Sequence, residues 1–156
     1  MNIKIISLDR AKDHEIKKLE ARFVERLSKQ CRVEFIDLKR PADYASANHT
    51  TILTQEAESV LKKVKDTDYC VLLDAQGKEM DSLQLSKQLS AWQHQGVNAI
   101  VFVIGGPLGV SEVLRNKADF ILSLSRLTFT HEMARMLLCE ALYRSFDILH
   151  GGNYHK

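Results

Sequence analysis

Short apolar runs and helical stripes alternate along the chain. "NIKIISL" (2 to 8) reads as a strand, and from Asp13 to Gln30 the apolar residues Ile16, Leu19, Phe23, Val24 and Leu27 recur at helical spacing. "RVEFIDL" (32 to 38) predicts a second strand, and a polar loop with Pro41 leads to a helix from about Thr51 to Lys65. A third strand, "YCVLLD" (69 to 74), is followed by a helix over 82 to 95 that Gly96 closes, and "NAIVFVIG" (98 to 105) makes a fourth. A short helix near 111 to 117, a fifth strand "DFILSL" (119 to 124) and a last helix from about Thr130 to Leu149 complete the order. Alternation of this kind predicts an α/β protein whose mostly parallel sheet carries helices on both faces. No repeat, linker or low-complexity tract divides it, so a single domain over 1 to 156 is expected.

Composition narrows the class. No apolar run approaches the ~20 residues that span a bilayer, and "MNIKIISLDR" is too short and too alternating for a signal peptide, which points to a cytoplasmic protein without membrane contact. Cys31, Cys70 and Cys139 are far apart and form no Cys-x-x-Cys pair, so neither a disulfide frame nor a metal site is expected, only reduced and buried thiols. A formal net charge of +2 neither demands nor forbids a nucleic-acid partner.

Sheets of this type bind ligands beyond the carboxyl ends of their strands. Three loops there stand out: "LLDAQGKEMDS" (72 to 82), the glycine turn in "VFVIGGPLGVSEVL" (101 to 114), and "LSRLTFTHEMAR" (124 to 135). The glycine turn has no lysine and lacks the spacing of a dinucleotide fingerprint, so phosphate cradling is not its purpose. Singly, each loop has a plain structural explanation: Asp74 and Gly77 in a turn, Thr128 or Thr130 as a helix cap. Together the three could wall one pocket. The last helix is apolar over more than one stripe (Met133, Met136, Leu137, Leu138, Leu142, Phe146, Ile148, Leu149), which predicts packing on two sides. Its end, "HGGNYHK", releases an aromatic ring, an imidazole and a cation.

The series LDxxGKxxxS (73 to 82), IGGPxG (104 to 109), LSxxTFxHxxxR (124 to 135), LxEALYRS (138 to 145) and terminal Tyr154-His155-Lys156, in that order, closely resembles the RlmH family. These are bacterial large-subunit ribosomal RNA pseudouridine N3-methyltransferases of the SPOUT class. The resemblance covers nearly the whole chain. It implies S-adenosylmethionine as cofactor, a SPOUT-type fold with a C-terminal trefoil knot, a homodimer that would occupy the second side of the last helix, and 23S ribosomal RNA in the large subunit or whole ribosome as partner. It also implies cofactor contacts from Leu73, Gly105, Leu124, Ser125, Arg126, Leu127, Thr128 and Phe129. Thr130, Ser145 and Asn153 depart from the family's usual residues.

S-adenosylmethionine carries no phosphate, which answers the missing lysine: close backbone approach is needed, and Gly105 and Gly106 would remove side chains that hold a ligand off. For attack by N3 on a sulfonium methyl, His155 is the base its residue type suggests, Arg144 would favour the developing anion, and Tyr154 would stack on a base or position the ribose. His131 would orient a loop. Arg10, Lys12, Lys17, Lys18, Arg22, Arg26, Lys29 and Arg32, followed by Lys39 and Arg40, offer an RNA track. Two other classes stay in view: a non-catalytic flavodoxin-like nucleotide-binding module, and an RNA-binding assembly protein.

Overall fold

A computed structural model describes all 156 residues. The elements run β1 (Asn2–Leu8), α1 (His14–Leu27), β2 (Arg32–Leu38), α2 (His49–Leu61), β3 (Tyr69–Glu79), α3 (Ser82–His94), β4 (Ala99–Ile104), α4 (Glu112–Lys117), β5 (Phe120–Ser123) and α5 (His131–Leu149). The five strands form one sheet in the order β2-β1-β4-β3-β5, with every pairing parallel. The expected α/β architecture is therefore present.

Burial explains why the strands read as near-continuous apolar runs. In β4, Ile100, Phe102 and Ile104 face one core while Val101 and Val103 face another. The larger core joins Ile3, Ile5 and Val71 to α3 and α5 through Leu85, Leu89, Trp92, Leu138, Leu142 and Phe146. The smaller joins Ile6, Leu72 and Cys70 to α2 and α4 through Ala57, Val60 and Leu114. A sheet covered on both faces has no polar side to alternate with.

Three expectations change. β3 does not stop at Asp74 but continues to Glu79, its register against β5 shifting between Leu73 and Lys78. Gly77 serves this pairing, not a turn: a Cβ there would lie 2.8 Å from the Ile121 carbonyl oxygen. Secondly, the two-sided apolar character of α5 is met largely within the chain, since α5 lies between α1 and α3, and Leu138 and Leu142 have no exposure at all. Only Met133, Leu137 and Ile148 remain half-exposed outside both cores. Thirdly, Gly151 and Gly152 do not simply free the tail. Gly151 takes φ +72°, which suits the end of a helix, and a Cβ on Gly152 would run into the Asp147 carboxylate.

A charged clasp fixes α5. The Arg135 guanidinium donates to the Glu20 carboxylate of α1 at 2.6 and 3.1 Å and to Asp37 at the end of β2, and lies 4.3 Å from the centre of the Phe35 ring. Arg135 and Glu20 are both buried. Burial acts to lower the guanidinium's pKa, but the two carboxylates raise it above the ordinary value.

Candidate cofactor site

The ends of β3, β4 and β5 enclose a cavity of about 720 Å³. That volume falls within the ~300–1,000 Å³ of ordinary small-molecule sites. Leu73 enters from β3, Ile104 and the glycine turn from β4, and Leu124, Ser125 and residues 127 to 130 from the segment after β5, with His131 and Ala134 of α5 closing one side. The three unusual loops thus meet. Seven of the eight positions implied as cofactor contacts line the cavity; the eighth, Arg126, is exposed and does not.

Each wall has a local cause. After Ile104 the chain turns through Gly106 and Gly109, which form an isolated bridge with Gly109 N–H donating to the Gly106 carbonyl at 3.0 Å; Gly109 sits at φ +85°. The glycines' first duty is to this turn. A Cβ on Gly105 would meet Val110 Cγ1 at 2.6 Å, and one on Gly106 would meet Glu56 Oε1 at 3.1 Å, so protein, not ligand, fills the space a side chain would need. Glu56 is buried under the turn with Oε2 unpartnered, and burial raises its carboxyl above the usual range although Arg40 opposes this. In the next loop, Ser125 Oγ accepts from Leu127 N–H at 3.0 Å, and Thr130 caps α5 by accepting from Met133 N–H at 3.3 Å. Thr130, one of the departures from the family, therefore has a defined structural duty.

One charged lining residue, Arg115, had no sequence signal. Arg115, on the short α4, pairs with Asp74 at the β3 irregularity, and Asp74 also accepts from Gln76 N–H at 2.8 Å. His131 Nε2 lies 3.5 Å from the Arg10 carbonyl, and Glu132 accepts from Asp13 N–H at 3.2 Å and from Lys12 N–H, tying the start of α5 to the loop after β1. The loop-orienting role expected of His131 fits this contact.

Arg144, Tyr154 and His155 lie elsewhere. Arg144 is thirteen residues beyond His131, about 20 Å along the helix at ~1.5 Å per residue. The tail folds back on that end of α5. Tyr154 Oη donates to Glu140 at 3.2 Å, its N–H donates to Asp147 at 2.9 Å, and its ring packs 4.8 Å from Tyr143 and 4.5 Å from the Arg144 guanidinium. Arg144 is paired with Glu140 and donates to the Tyr154 carbonyl at 3.3 Å. Burial, with Glu140 alongside, pushes the Tyr154 phenol up. His155 is exposed. Within one chain these residues form a second cluster, separate from the cavity.

The cavity has apolar walls in Leu73, Ile104, Leu124, Leu127 and Phe129, suited to a flat base, and a glycine-rich backbone edge suited to its polar rim. This donor set fits a nucleoside-type cofactor bound without a phosphate cradle. Burial pushes Cys31 and Cys70 up to about 11 and Cys139 up to about 12, so no cysteine is poised as a nucleophile.

The fold and site define an α/β protein with a cavity at the carboxyl ends of adjacent parallel strands, the place where such sheets take their ligands. Comparison with known proteins makes the class specific. A family model described as "Predicted SPOUT methyltransferase" matches residues 1–155. The ribosomal RNA large subunit methyltransferase H of Acetivibrio thermocellus is 38% identical over 159 residues, covering all of both chains, and that of Latilactobacillus sakei is 37% identical over the same span. A putative ribosomal RNA large subunit methyltransferase H from Methanococcus vannielii is 38% identical, again over the full length of both. Among solved structures, the SpoU methyltransferase AviRb of Streptomyces viridochromogenes, in complex with AdoMet, aligns with a TM-score of 0.45 and 12% identity, over 98% of this chain and 59% of that one. The chain belongs to the SPOUT methyltransferase family, in the group of the ribosomal RNA large subunit methyltransferases H. It is an S-adenosylmethionine-dependent methyltransferase.

Proposed function

We propose that the protein methylates N3 of a pseudouridine in 23S ribosomal RNA, in the large subunit or the assembled ribosome, in the cytoplasm. The carrying observation is the cavity, where Leu73, Gly105, Leu124, Ser125, Leu127, Thr128 and Phe129 converge in a chain whose full-length relatives are named as large-subunit ribosomal RNA methyltransferases. Neither a flavodoxin-like module nor a non-enzymatic assembly protein accounts for that full-length likeness. No helix is long and apolar enough to cross a membrane, and no cluster of three His, Cys, Asp or Glu is placed to hold a metal.

When bound, the cofactor supplies an electrophilic methyl on a good leaving group, so the protein's tasks are alignment and removal of the N3 proton. The cavity walls hold and orient. Exposed His155 takes the proton at a ring nitrogen, Arg144 favours the anion left on the base, and Tyr154 positions the nucleotide. Arg144, with the tail packed on it, lies ten residues beyond the cavity-lining Ala134, about 15 Å along α5, which supports a homodimer in which one subunit's tail completes the other's site. The half-exposed Met133, Leu137 and Ile148 on α5 offer the interface. The trefoil threading implied by the resemblance belongs to the same reading, supported by the return of the chain from edge strand β5 across the sheet to pack on α1.

The test is methyl transfer to ribosomes from a strain lacking the modification. Deleting residues 153 to 156 should leave S-adenosylmethionine affinity by calorimetry nearly intact and reduce transfer by ~100-fold, the scale for losing acid–base and positioning groups together. Mixing that protein with a Gly105→Val variant, whose side chain would collide with Val110 and deform the cavity wall, should restore transfer, because one composite site would then be whole. A truncated protein with full activity would remove the tail from the chemistry, and no restoration on mixing would remove the site shared between subunits.

A further inference from the structure

The ends of β1 and β2 form a second pocket, of about 310 Å³, lined by Asp9, Arg10, Lys12, Leu38, Lys39 and Arg40. Four of the six are cations and one is an anion, a formal +3. The whole chain carries +2, so everything outside this pocket sums to −1. Four of the ten cations named as an RNA track thus gather in this one pocket, whereas on α1 four cations are offset by three acids. On α1 part of the charge is spent locally, with Lys18 on Glu15 at 3.0 Å.

The pocket is held open from within. Asp9 sits at φ 120°, outside the region ordinary residues favour, and its carboxylate binds Arg40 at 2.9 Å, stands 3.9 Å from Lys12 and accepts from Arg10 N–H at 2.9 Å. Burial alone would raise the Asp9 carboxyl, but these partners hold it below the usual carboxylate range. Arg40 is further fixed 4.9 Å over the Tyr44 ring. One acid thus positions Arg40 and Lys12 around a common space, while exposed Arg10 and Lys39 have no acidic partner at all.

Its location gives the pocket a purpose. Arg10's carbonyl meets His131 and Lys12's N–H meets Glu132, and His131 also lines the cofactor cavity. The two spaces share a wall. We propose that this pocket holds backbone phosphates of the RNA strand next to the nucleotide presented to the cavity, with Arg10 and Lys39 as the principal phosphate contacts. This rests on the RNA-methyltransferase reading above. A single anion would leave two cations unmatched, whereas consecutive phosphates of one strand supply repeated charge along the same groove.

The experiment compares Arg10→Ala/Lys39→Ala with Lys17→Ala/Arg22→Ala, a control removing the same charge from exposed positions of α1. Methyl transfer to unmodified ribosomes is measured between 50 and 200 mM salt, and S-adenosylmethionine affinity by calorimetry. The pocket variant should keep wild-type cofactor affinity and kcat, raise KM for ribosomes at least ~10-fold, and lower the slope of log KM against log salt by ~1.4, two contacts at ~0.7 each. The control should change KM less than threefold. Equal effects from the two variants, or an unchanged KM in the pocket variant while the wild type methylates ribosomes normally, would overturn the pocket and leave the parent reading standing. If wild-type protein binds S-adenosylmethionine but methylates no ribosomal substrate, the parent reading fails and the pocket with it.

Discussion

Replacing Arg135 with Met tests how α5 is held. The side chain is buried, its partner Glu20 is buried, and the two make hydrogen bonds of 2.6 and 3.1 Å. Met retains most of the stem but strands the Glu20 carboxylate away from water. Removing one partner of such a pair costs ~3–5 kcal/mol, far more than an exposed pair. For a chain of this size, with ~2–4 °C per kcal/mol, the melting temperature should fall by roughly 6–20 °C. Because the cost lies in the stranded charge, adding Glu20→Leu should recover most of the loss. Urea denaturation at neutral pH, with the slope checked for constancy, measures both variants. A single variant within ~1 kcal/mol of wild type, or a double variant no better than the single, would refute the argument.

Glu56→Gln should make stability less dependent on pH. The folded state holds the Glu56 proton above its ordinary 4.5, so its stabilising contribution is full below that value and lost as pH rises through the raised folded one; the variant should match wild type near pH 4 and exceed it at pH 8 in thermal melts. Gly77→Ala should cost ~1–3 kcal/mol and loosen the β3–β5 pairing, seen as faster amide exchange in Phe120–Ser123; normal exchange would mean that β5 moves aside freely. Leu137→Asp should yield a folded monomer by sedimentation without methyl transfer, whereas Leu138→Asp should fail to fold; an active Leu137→Asp dimer would put the interface elsewhere.

Much of this was legible because period and glycine placement are local signals. The strands of the double-faced sheet announce themselves as apolar runs, and the loops that build the cavity follow them directly in the chain. Arg115 and the Glu20–Arg135–Asp37 clasp were not legible, since their partners lie far away in sequence and no spacing rule links them. The extension of β3 past Asp74 was hidden because "AQGKE" is polar and its pairing depends on Gly77 fitting against β5. The fold-back of Tyr154 was hidden for a related reason: a Gly-Gly pair permits either an open or a closed tail, and only the Glu140, Asp147 and Arg144 side chains choose.

The placement of β1 between β2 and β4 has a consequence for the order of events during synthesis. β1 can meet β2 once the first 38 residues exist, but its other edge pairs Asn2–Ser7 with Ala99–Ile104. At ~5–20 residues per second, that partner is completed about 3–13 seconds after β2. Throughout this interval the nascent chain exposes the unpaired backbone of a largely apolar strand that ends up mostly buried. An inner strand of the mature sheet is thus the edge most open to mispairing while it is being made, and slowing translation between residues 38 and 104 should lower the yield of native protein.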